Sequence, residues 1–239
     1  MTSFKPSVHL PLLLPLLLAF LPAVATPAAA PESAASILRS MSHTYAAMAS
    51  YQDVGEVTTT YRMGTGPEKH TTRFATWFSR PDRLRFVWQD GESKGRIWSD
   101  GEAAYSRHSP YGSSGPVRKE ASLSLAIAGA TGVSNNAAYT VPTLLFPEAA
   151  DFRLEQIEEL QVTGTESLEG RECFVIMGKH PRSDSLYTLW VGTEDRLLHR
   201  IRKVGERTIH DEVRQHIRVD RPIPAEIFND LLLPTRSGR

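Results

Sequence analysis

The stretch RFATWFSRPDRLRFVWQDG, residues 73–91, determines the fold of this chain. Apolar and polar residues alternate on both sides of its Arg-Pro-Asp sequence, and a period of two is the side-chain period of a β-strand. The proline ends the first strand, because it lacks the N–H group that the interior of a sheet requires. The residues that share the apolar face are Phe74, Phe78, Leu84, Phe86 and Trp88. The stretch therefore predicts two adjacent antiparallel strands with one apolar face.

The same alternation extends in both directions and predicts about ten strands. Asp-Gly and Glu-Gly pairs at 90–91, 100–101 and 169–170 supply turns between them. The first group of predicted strands comprises 55–63, 70–79, 83–89, 96–99 and 103–107. The second group comprises 154–164, 171–180, 185–192, 197–204 and 208–219. We expect segment 221–228 to form a helical turn packed on an edge of the sheet.

A helix is predicted before the first group of strands, over residues 33–50. Apolar residues recur there at spacings of four, four and three, which places them on one helix face. These residues are Ile37, Met41, Tyr45 and Met48. Because only one face is apolar, we expect this helix to pack that face against another element.

Two further helices are predicted between the groups of strands, where the chain loses its charges. The stretch LSLAIAGATG, residues 123–132, overlaps a predicted helix over 120–130 that Gly129 and Gly132 stop. Ser134-Asn135-Asn136 then provides an N-cap for a second helix that ends before Pro147. A helix of eleven residues spans about 16 Å, which is too short to cross a bilayer. A helix that is apolar all round is buried on all sides or bound to a membrane. These helices therefore form either permanent core or a movable cover over an apolar cavity.

The predicted fold class is α+β, an unclosed antiparallel β-barrel in which a strongly curled sheet of about ten strands holds helices on its concave face. A sheet of this size curls under its own twist, and the apolar helices fill the space that it encloses. The predicted organisation is a signal peptide over 1–25, a linker over 26–32, a half-barrel domain over 33–230 with a helical lid over 120–147, and a polar tail over 231–239.

The N-terminal segment predicts export to the periplasm. Residues 10–24 form an apolar run, and Ala23-Val24-Ala25 has the small-x-small pattern of a signal-peptidase site, so we expect cleavage near Ala25. An uncleaved N-terminal anchor is the alternative. No cysteine follows the run, so the mature protein is not expected to be a lipoprotein of the usual bacterial type.

Composition excludes several classes of function. The 239-residue chain is 41% hydrophobic and 23% charged with a formal net charge of zero, and it has no basic stripe, which argues against nucleic acid as a partner. The single cysteine, Cys173, can form neither an internal disulfide nor a cysteine metal cluster. We expect no cofactor.

Two short patterns suggest catalysis or metal binding, and both have simpler interpretations. GESKG, residues 91–95, matches the G-x-S-x-G nucleophile pattern, but a strand rather than a helix follows Ser93, which favours a hairpin turn. His210, Asp211 and His216 resemble a metal set, but Asp211 points to the opposite strand face from the two histidines. We therefore expect neither a catalytic residue nor a metal site, and a hydrolase is the least favoured function.

Two blocks, FSRPDRLRFVW at 78–88 and IWSDGEAAYSRHSP at 97–110, resemble the signature of the periplasmic lipoprotein-carrier family (LolA/LolB-like). The resemblance implies an unclosed barrel with a helical lid over a cavity that holds acyl chains, and it implies that Arg80 contacts the lid. The stretches SLSLAIAGATG and YTVPTLL make the whole mature chain similar to a subfamily of predicted exported bacterial proteins.

These observations predict a non-enzymatic periplasmic carrier for a lipid or a lipoprotein acyl chain. The expected cavity wall consists of Phe74, Phe78, Leu84, Phe86, Trp88, Trp98, Tyr105 and Trp190. The expected lid residues are Leu125, Ile127, Leu144, Leu145 and Phe146. The alternative is a sensor or scaffold module that binds another envelope protein along a sheet edge, with the helices as permanent core.

Overall fold

The computed structural model describes Met1, residues 32–63 and residues 66–229. It contains one antiparallel sheet of eleven strands in the order β6-β5-β4-β3-β2-β1-β11-β10-β9-β8-β7, and β6 and β7 form its two edges. The sheet is unclosed and curls around three α-helices, which confirms the predicted fold class. The predicted cleavage site near Ala25, most of the linker and the polar tail lie outside the described residues.

The chain builds the sheet as two meanders joined by helices. The first meander comprises β1 (Ser50–Met63), β2 (Gly66–Ser79), β3 (Arg83–Asp90), β4 (Ser93–Asp100), β5 (Ala104–Ser109) and β6 (Val117–Glu120). The second comprises β7 (Glu158–Leu168), β8 (Arg171–Lys179), β9 (Leu186–Gly192), β10 (Leu198–Val204) and β11 (Thr208–Val219). The helices are α1 (Ala34–Ala47), α2 (Leu123–Val133) and α3 (Ala137–Leu145). Pairing of β1 with β11 unites the two meanders into one sheet.

The structure differs from the local expectations at three places. The short strand β6 was not predicted, because its sequence VRKE has no apolar alternation and it lies at an exposed edge. Residues Leu154–Gln156 form a 3₁₀ turn, so β7 begins at Glu158. The C-terminal turn, Ala225–Phe228, packs against β3 and β4, whereas an edge of the sheet was expected. There it buries Phe228 on the face of the sheet that lies away from the α-helices.

Helix α1 is capped at its N-terminus and tied to the sheet at its C-terminus. The Ser33 hydroxyl accepts a hydrogen bond from the Ser36 amide, which satisfies one free N–H of the first turn. At the other end, Arg80 donates to the carbonyl oxygens of Tyr45 and Met48 at 3.0 and 3.1 Å. A cation is favourable at a helix C-terminus, so Arg80 stabilises the point where α1 enters β1.

The turn between α2 and α3 is also anchored to the sheet. Asn135 and Asn136 both have positive φ angles, which asparagine tolerates better than most residues. The Ser134 hydroxyl accepts a hydrogen bond from the Ala138 amide, and the Asn135 side chain donates to Thr72 and Asp90. The predicted cap therefore works through Ser134, while Asn135 attaches the helical pair to β2 and β3.

Candidate ligand cavity

A cavity of about 500 Å³ lies between the helices and one half of the sheet. Helix α1, helix α3 and the loop from Pro147 to Glu155 surround it on one side, and strands β1 and β9–β11 form its floor. Ligand pockets in proteins typically have volumes of about 300–1,000 Å³. The cavity therefore has the size of a small-molecule binding site.

The strand register arranges the floor of the cavity in two neighbouring rows. Lys203 lies opposite Tyr187 on β9 and His210 on β11, and His210 lies opposite Thr59 on β1. Ile201 lies two residues before Lys203 on β10, opposite Leu189 of β9 and Glu212 of β11. Glu212 in turn lies opposite Val57 of β1. One row is therefore rich in polar groups and the next is mostly aliphatic. The polar row comprises Tyr187, Lys203, His210 and Thr59, and the aliphatic row comprises Leu189, Ile201, Glu212 and Val57.

The ionisable groups of the polar row are partly withdrawn from water. Burial lowers the pKa of Lys203 below its ordinary value, and its ammonium group lies 5.7 Å from the centre of the Tyr187 ring. Burial and the nearby charge of Lys203 lower the pKa of His210. Burial also lowers the pKa of His180, to which Lys203 and Arg182 add repulsion. These groups are held in an environment that disfavours additional positive charge unless an anion enters.

A buried charged cluster supports the floor from within the core. Arg214 donates to the carboxylates of Asp53 and Glu212, and Tyr51 donates to Asp53 at 2.8 Å. The exposed fractions of the three charged side chains are 1%, 0% and 5% for Arg214, Asp53 and Glu212. Burial raises the pKa of Glu212, although Arg214 opposes the shift. The cluster places one cation between two anions beneath the cavity.

Gly55 makes room for this cluster. It lies opposite Arg214 in the register, and a Cβ atom there would come within 2.4 Å of both the Phe74 ring and the Val213 carbonyl oxygen. Phe74 stacks under the Arg214 guanidinium at 4.6 Å from its ring centre. A side chain at position 55 would therefore displace either the aromatic ring or the neighbouring strand.

Helix α3 is connected to the floor and to the loop that follows it. The Thr140 hydroxyl donates to Glu212 at 2.7 Å. The Tyr139 hydroxyl donates to the carbonyl oxygen of Phe152 at 2.7 Å and accepts from its amide at 2.9 Å. These bonds define one wall of the cavity, and they tie the position of α3 to the buried cluster.

The five wall residues predicted on β2 and β3 lie in the packed half of the concave face. Phe74, Phe78, Leu84, Phe86 and Trp88 are all buried in one core cluster with α2, α3 and Ile97 of β4. Phe78 meets Phe146 edge-to-face at 5.3 Å, and Phe86 stacks between Phe74 and Trp88. None of the five lines the cavity, because α2 and α3 already cover them.

The other three predicted wall residues point away from the helices. Trp98 stacks on Tyr105 at 5.3 Å, and neither belongs to the core cluster beneath the helices. Trp190 donates its indole N–H to Glu166 at 2.6 Å, and the Arg200 guanidinium covers its ring. Their neighbours Ile97, Leu189 and Val191 occupy the concave face, so the strand period puts these rings on the outer face. None of the three lines the cavity described above.

The predicted lid residues have different environments. Ile127, Leu144, Leu145 and Phe146 are buried, and Leu144 also lines the cavity. Leu125 is 56% exposed, so α2 is not buried on all sides. The hydrogen bonds of Arg80 described above go to α1. The lid contact that the resemblance implied for this residue stays a prediction.

Several cavity residues were missed by sequence reasoning. Ile201, Lys203, His210 and Glu212 alternate along β10 and β11, and this period of two was visible in the sequence. The polar and charged residues in this set obscured the pattern, because such residues are typical of the solvent-exposed face of a strand. Which half of the sheet the helices leave open depends on packing between distant segments.

The short patterns with possible chemistry have structural roles. Gly91 and Glu92 form the turn between β3 and β4, and the Ser93 hydroxyl accepts a hydrogen bond from the Tyr111 amide. Gly95 leaves space for the Trp88 indole, which would lie 1.8 Å from a Cβ atom. Among the described residues, no group of His, Cys, Asp and Glu side chains has the arrangement of a metal site.

A family profile described as "Predicted periplasmic protein (DUF2092)" matches residues 34–211, from α1 into β11. The chain belongs to this family. Membership in the DUF2092 family confirms the expected exported, periplasmic type of protein. No curated protein matches the sequence. Within residues 32–63 and 66–229, no helix combines the length and the apolarity that a membrane crossing needs.

Solved structures with a similar fold include the lipoprotein LppX of Mycobacterium tuberculosis, at 12% identity and a TM-score of 0.43 over 80% of this chain and 97% of LppX. LprF from Mycobacterium bovis matches at 11% identity and a TM-score of 0.45 over 80% and 95% of the two chains. A LolA superfamily protein from Nitrosomonas europaea matches at 13% identity and a TM-score of 0.35 over 85% and 100%. These similarities concern the fold alone.

Proposed function

We propose that this protein is a non-enzymatic periplasmic carrier that binds an acyl chain of a lipid or lipoprotein in the cavity between α1, α3 and strands β9–β11. The observation that carries the proposal is the cavity itself, at about 500 Å³. It lies on the concave face, where the helices leave the sheet uncovered.

The lining supplies the apolar contacts that an acyl chain needs. Val57, Leu144, Phe152, Tyr187 and Ile201 belong to the hydrophobic core cluster and also face the cavity. Burial of each methylene contributes about 0.8 kcal/mol, so a chain of about a dozen carbons gains roughly 9 kcal/mol before the costs of ordering. This gain is sufficient for specific binding without a covalent bond.

The test is a titration with a fluorescent fatty acid, using a variant that fills the cavity. Val57→Trp places an indole on the floor, whereas Thr58→Trp places the same ring on the opposite face of β1. We expect the wild type and Thr58→Trp to bind the probe and Val57→Trp to lose at least about tenfold in affinity. The absence of binding to the wild type, or equal binding by all three proteins, would contradict the proposal.

The second candidate is a sensor or scaffold that binds an envelope protein along a sheet edge. The observation that favours it is the packed half of the concave face, where α2 and α3 serve as core. Strand β7 offers an edge whose residues are almost all exposed. A purified wild-type protein that carries no lipid and binds no fatty acid would favour this function over the first.

A further inference from the structure

The cavity is chemically polarised along the strands of its floor. Lys203 of β10 and His210 of β11 occupy the polar row. The neighbouring row contains Ile201 of β10, Val57 of β1 and, between them, Glu212 of β11. Leu144 of α3 also faces the cavity. One end of the site therefore has cationic and hydrogen-bonding groups, and the adjacent part is apolar. An elongated ligand with one polar end matches this arrangement.

Lys203 is a half-buried cation that has no ion pair with any residue of the described ranges. Its ammonium group faces the Tyr187 ring, which compensates only part of the lost hydration. A buried charge that lacks a counter-charge is costly, and an incoming anion would remove part of that cost. Lys203 is thus prepared to receive a negatively charged group.

His210 is positioned to assist Lys203. Its Nδ1 atom bonds to the Thr59 hydroxyl at 3.0 Å, which fixes the orientation of the ring. Its Nε2 atom has no hydrogen-bond partner among residues 32–63 and 66–229. Lys203 and His210 are direct cross-strand neighbours, so the two side chains can contact the same functional group of a ligand.

The remaining charges of the lining favour an anion over a cation. Arg39 and His43 of α1 and Arg153 of the loop reach the cavity from the opposite side. The two acids of the lining are Glu155 and Glu212, and Glu212 is already bound by Arg214 and Thr140. The groups that remain available to a ligand are therefore mostly cationic.

We propose that the cavity binds an amphiphile with a single anionic oxygen headgroup, a carboxylate or a phosphate, which Lys203 and His210 hold while the acyl chain follows Ile201, Val57 and Leu144. This inference rests on the proposed function and specifies its class of ligand. Lys203 donates to a headgroup oxygen, and His210 donates from Nε2 in the tautomer whose Nδ1 accepts from Thr59. Arg39 and Arg153, which also line the cavity, add positive potential.

The test compares ligands that share a chain and differ in the headgroup. Palmitate, methyl palmitate and a palmitoyl lysophosphatidate displace a fluorescent fatty-acid probe from the purified exported protein. We expect palmitate and the lysophosphatidate to bind about tenfold more tightly than the ester, as one charge-assisted hydrogen bond predicts. A preference for palmitate would identify a carboxylate as the headgroup, and a preference for the lysophosphatidate would identify a phosphate.

Variants at position 203 assign this preference to one side chain. Lys203→Gln is expected to lose about tenfold for the anionic ligands with no change for methyl palmitate, and this unchanged binding shows that the variant is folded. Lys203→Arg keeps the positive charge and should retain the preference. Lys94→Gln, at an exposed position of β4, is the matched control.

Three results separate this inference from the proposed function. Equal affinity of the wild type for palmitate and methyl palmitate would overturn the anionic headgroup and leave the acyl-chain carrier intact. A Lys203→Gln variant that keeps the full preference would overturn the assignment of the headgroup to Lys203 and would also leave the acyl-chain carrier intact. Failure of all three ligands to bind the wild type would contradict the carrier function itself.

Discussion

Replacement of Arg214 by methionine is expected to destabilise the protein strongly. Methionine is of similar length but leaves Asp53 and Glu212, which are 0% and 5% exposed, without their common counter-charge. Removal of one partner from a buried ion pair costs about 3–5 kcal/mol of unfolding free energy, chiefly because a buried charge is left uncompensated. Tyr51 and Thr140 still donate to the two carboxylates, so the loss is expected to stay within this range.

The matched control is Arg200→Met. Arg200 forms a two-bond pair with Asp211 at 2.6 and 2.7 Å, but both side chains are 25% exposed. Partly solvated pairs of this kind contribute about 0–1 kcal/mol. Urea denaturation near neutral pH, followed by tryptophan fluorescence, measures both variants. A cost for Arg214→Met no larger than that for Arg200→Met would refute the reasoning.

A second measurement identifies which interaction accounts for the unfolding free energy that Arg214→Met loses. Addition of Asp53→Asn and Glu212→Gln to Arg214→Met removes the two uncompensated charges while retaining side chains of similar size. We expect the triple variant to be more stable than Arg214→Met alone, because the penalty belongs to the carboxylates. A triple variant that is as unstable as the single one would assign the cost to lost packing over Phe74 instead.

Three further predictions follow from the same contacts. Val57→Trp is expected to lower the unfolding free energy by less than about 1 kcal/mol, because the new ring enters the cavity, whereas Ile97→Trp in the packed half should lower it by about 1–3 kcal/mol. Equal losses for the two variants in urea denaturation would contradict an open space above Val57. Leu125→Glu should change the unfolding free energy by less than about 0.5 kcal/mol, while Ile127→Glu, which buries an unpaired charge, should lower it by about 4 kcal/mol or more. Similar thermal midpoints for the two variants would contradict the assignment of Leu125 to the exposed face of α2 and Ile127 to the buried one. Burial raises the folded-state pKa of Glu212 above its ordinary value of 4.5, so its contribution to stability is complete below pH 4.5 and is lost as the pH rises through the folded-state pKa. The wild type should therefore lose unfolding free energy relative to Glu212→Gln as the pH rises through this window. A difference in unfolding free energy between the two proteins that does not change with pH would contradict the shift.

Local patterns predicted most of the sheet. Strand β11 was expected over 208–219 and occupies those residues, because its apolar residues, Ile209, Val213, Ile217 and Val219, recur at even spacings. The Arg-Pro-Asp and Asp-Gly turns likewise delimited β2, β3 and β4 to within a few residues at most boundaries. Such features depend on neighbours in the chain, which is why sequence reasoning found them.

The position of the cavity could not be predicted in the same way. Large rings suggested a wall, but Trp98 and Trp190 lie on the outer face, since Ile97 and Leu189 beside them occupy the concave one. The aromatic residues that do face inward are covered by α2 and α3. The open space lies over Val57 and Ile201, between that part of the sheet and α1, α3 and the loop from Pro147 to Glu155. This outcome depends on packing between segments that are far apart in sequence.

The most direct test of the central claim is the ligand content of the protein as it is isolated from the periplasm. Organic extraction followed by mass spectrometry should recover an acyl-chain lipid in near-stoichiometric amount from the wild type and from Thr58→Trp. The same extraction from Val57→Trp should recover far less, because the indole occupies the space that the chain needs. Empty extracts from the wild type, or equal lipid content in all three proteins, would contradict a lipid-binding cavity.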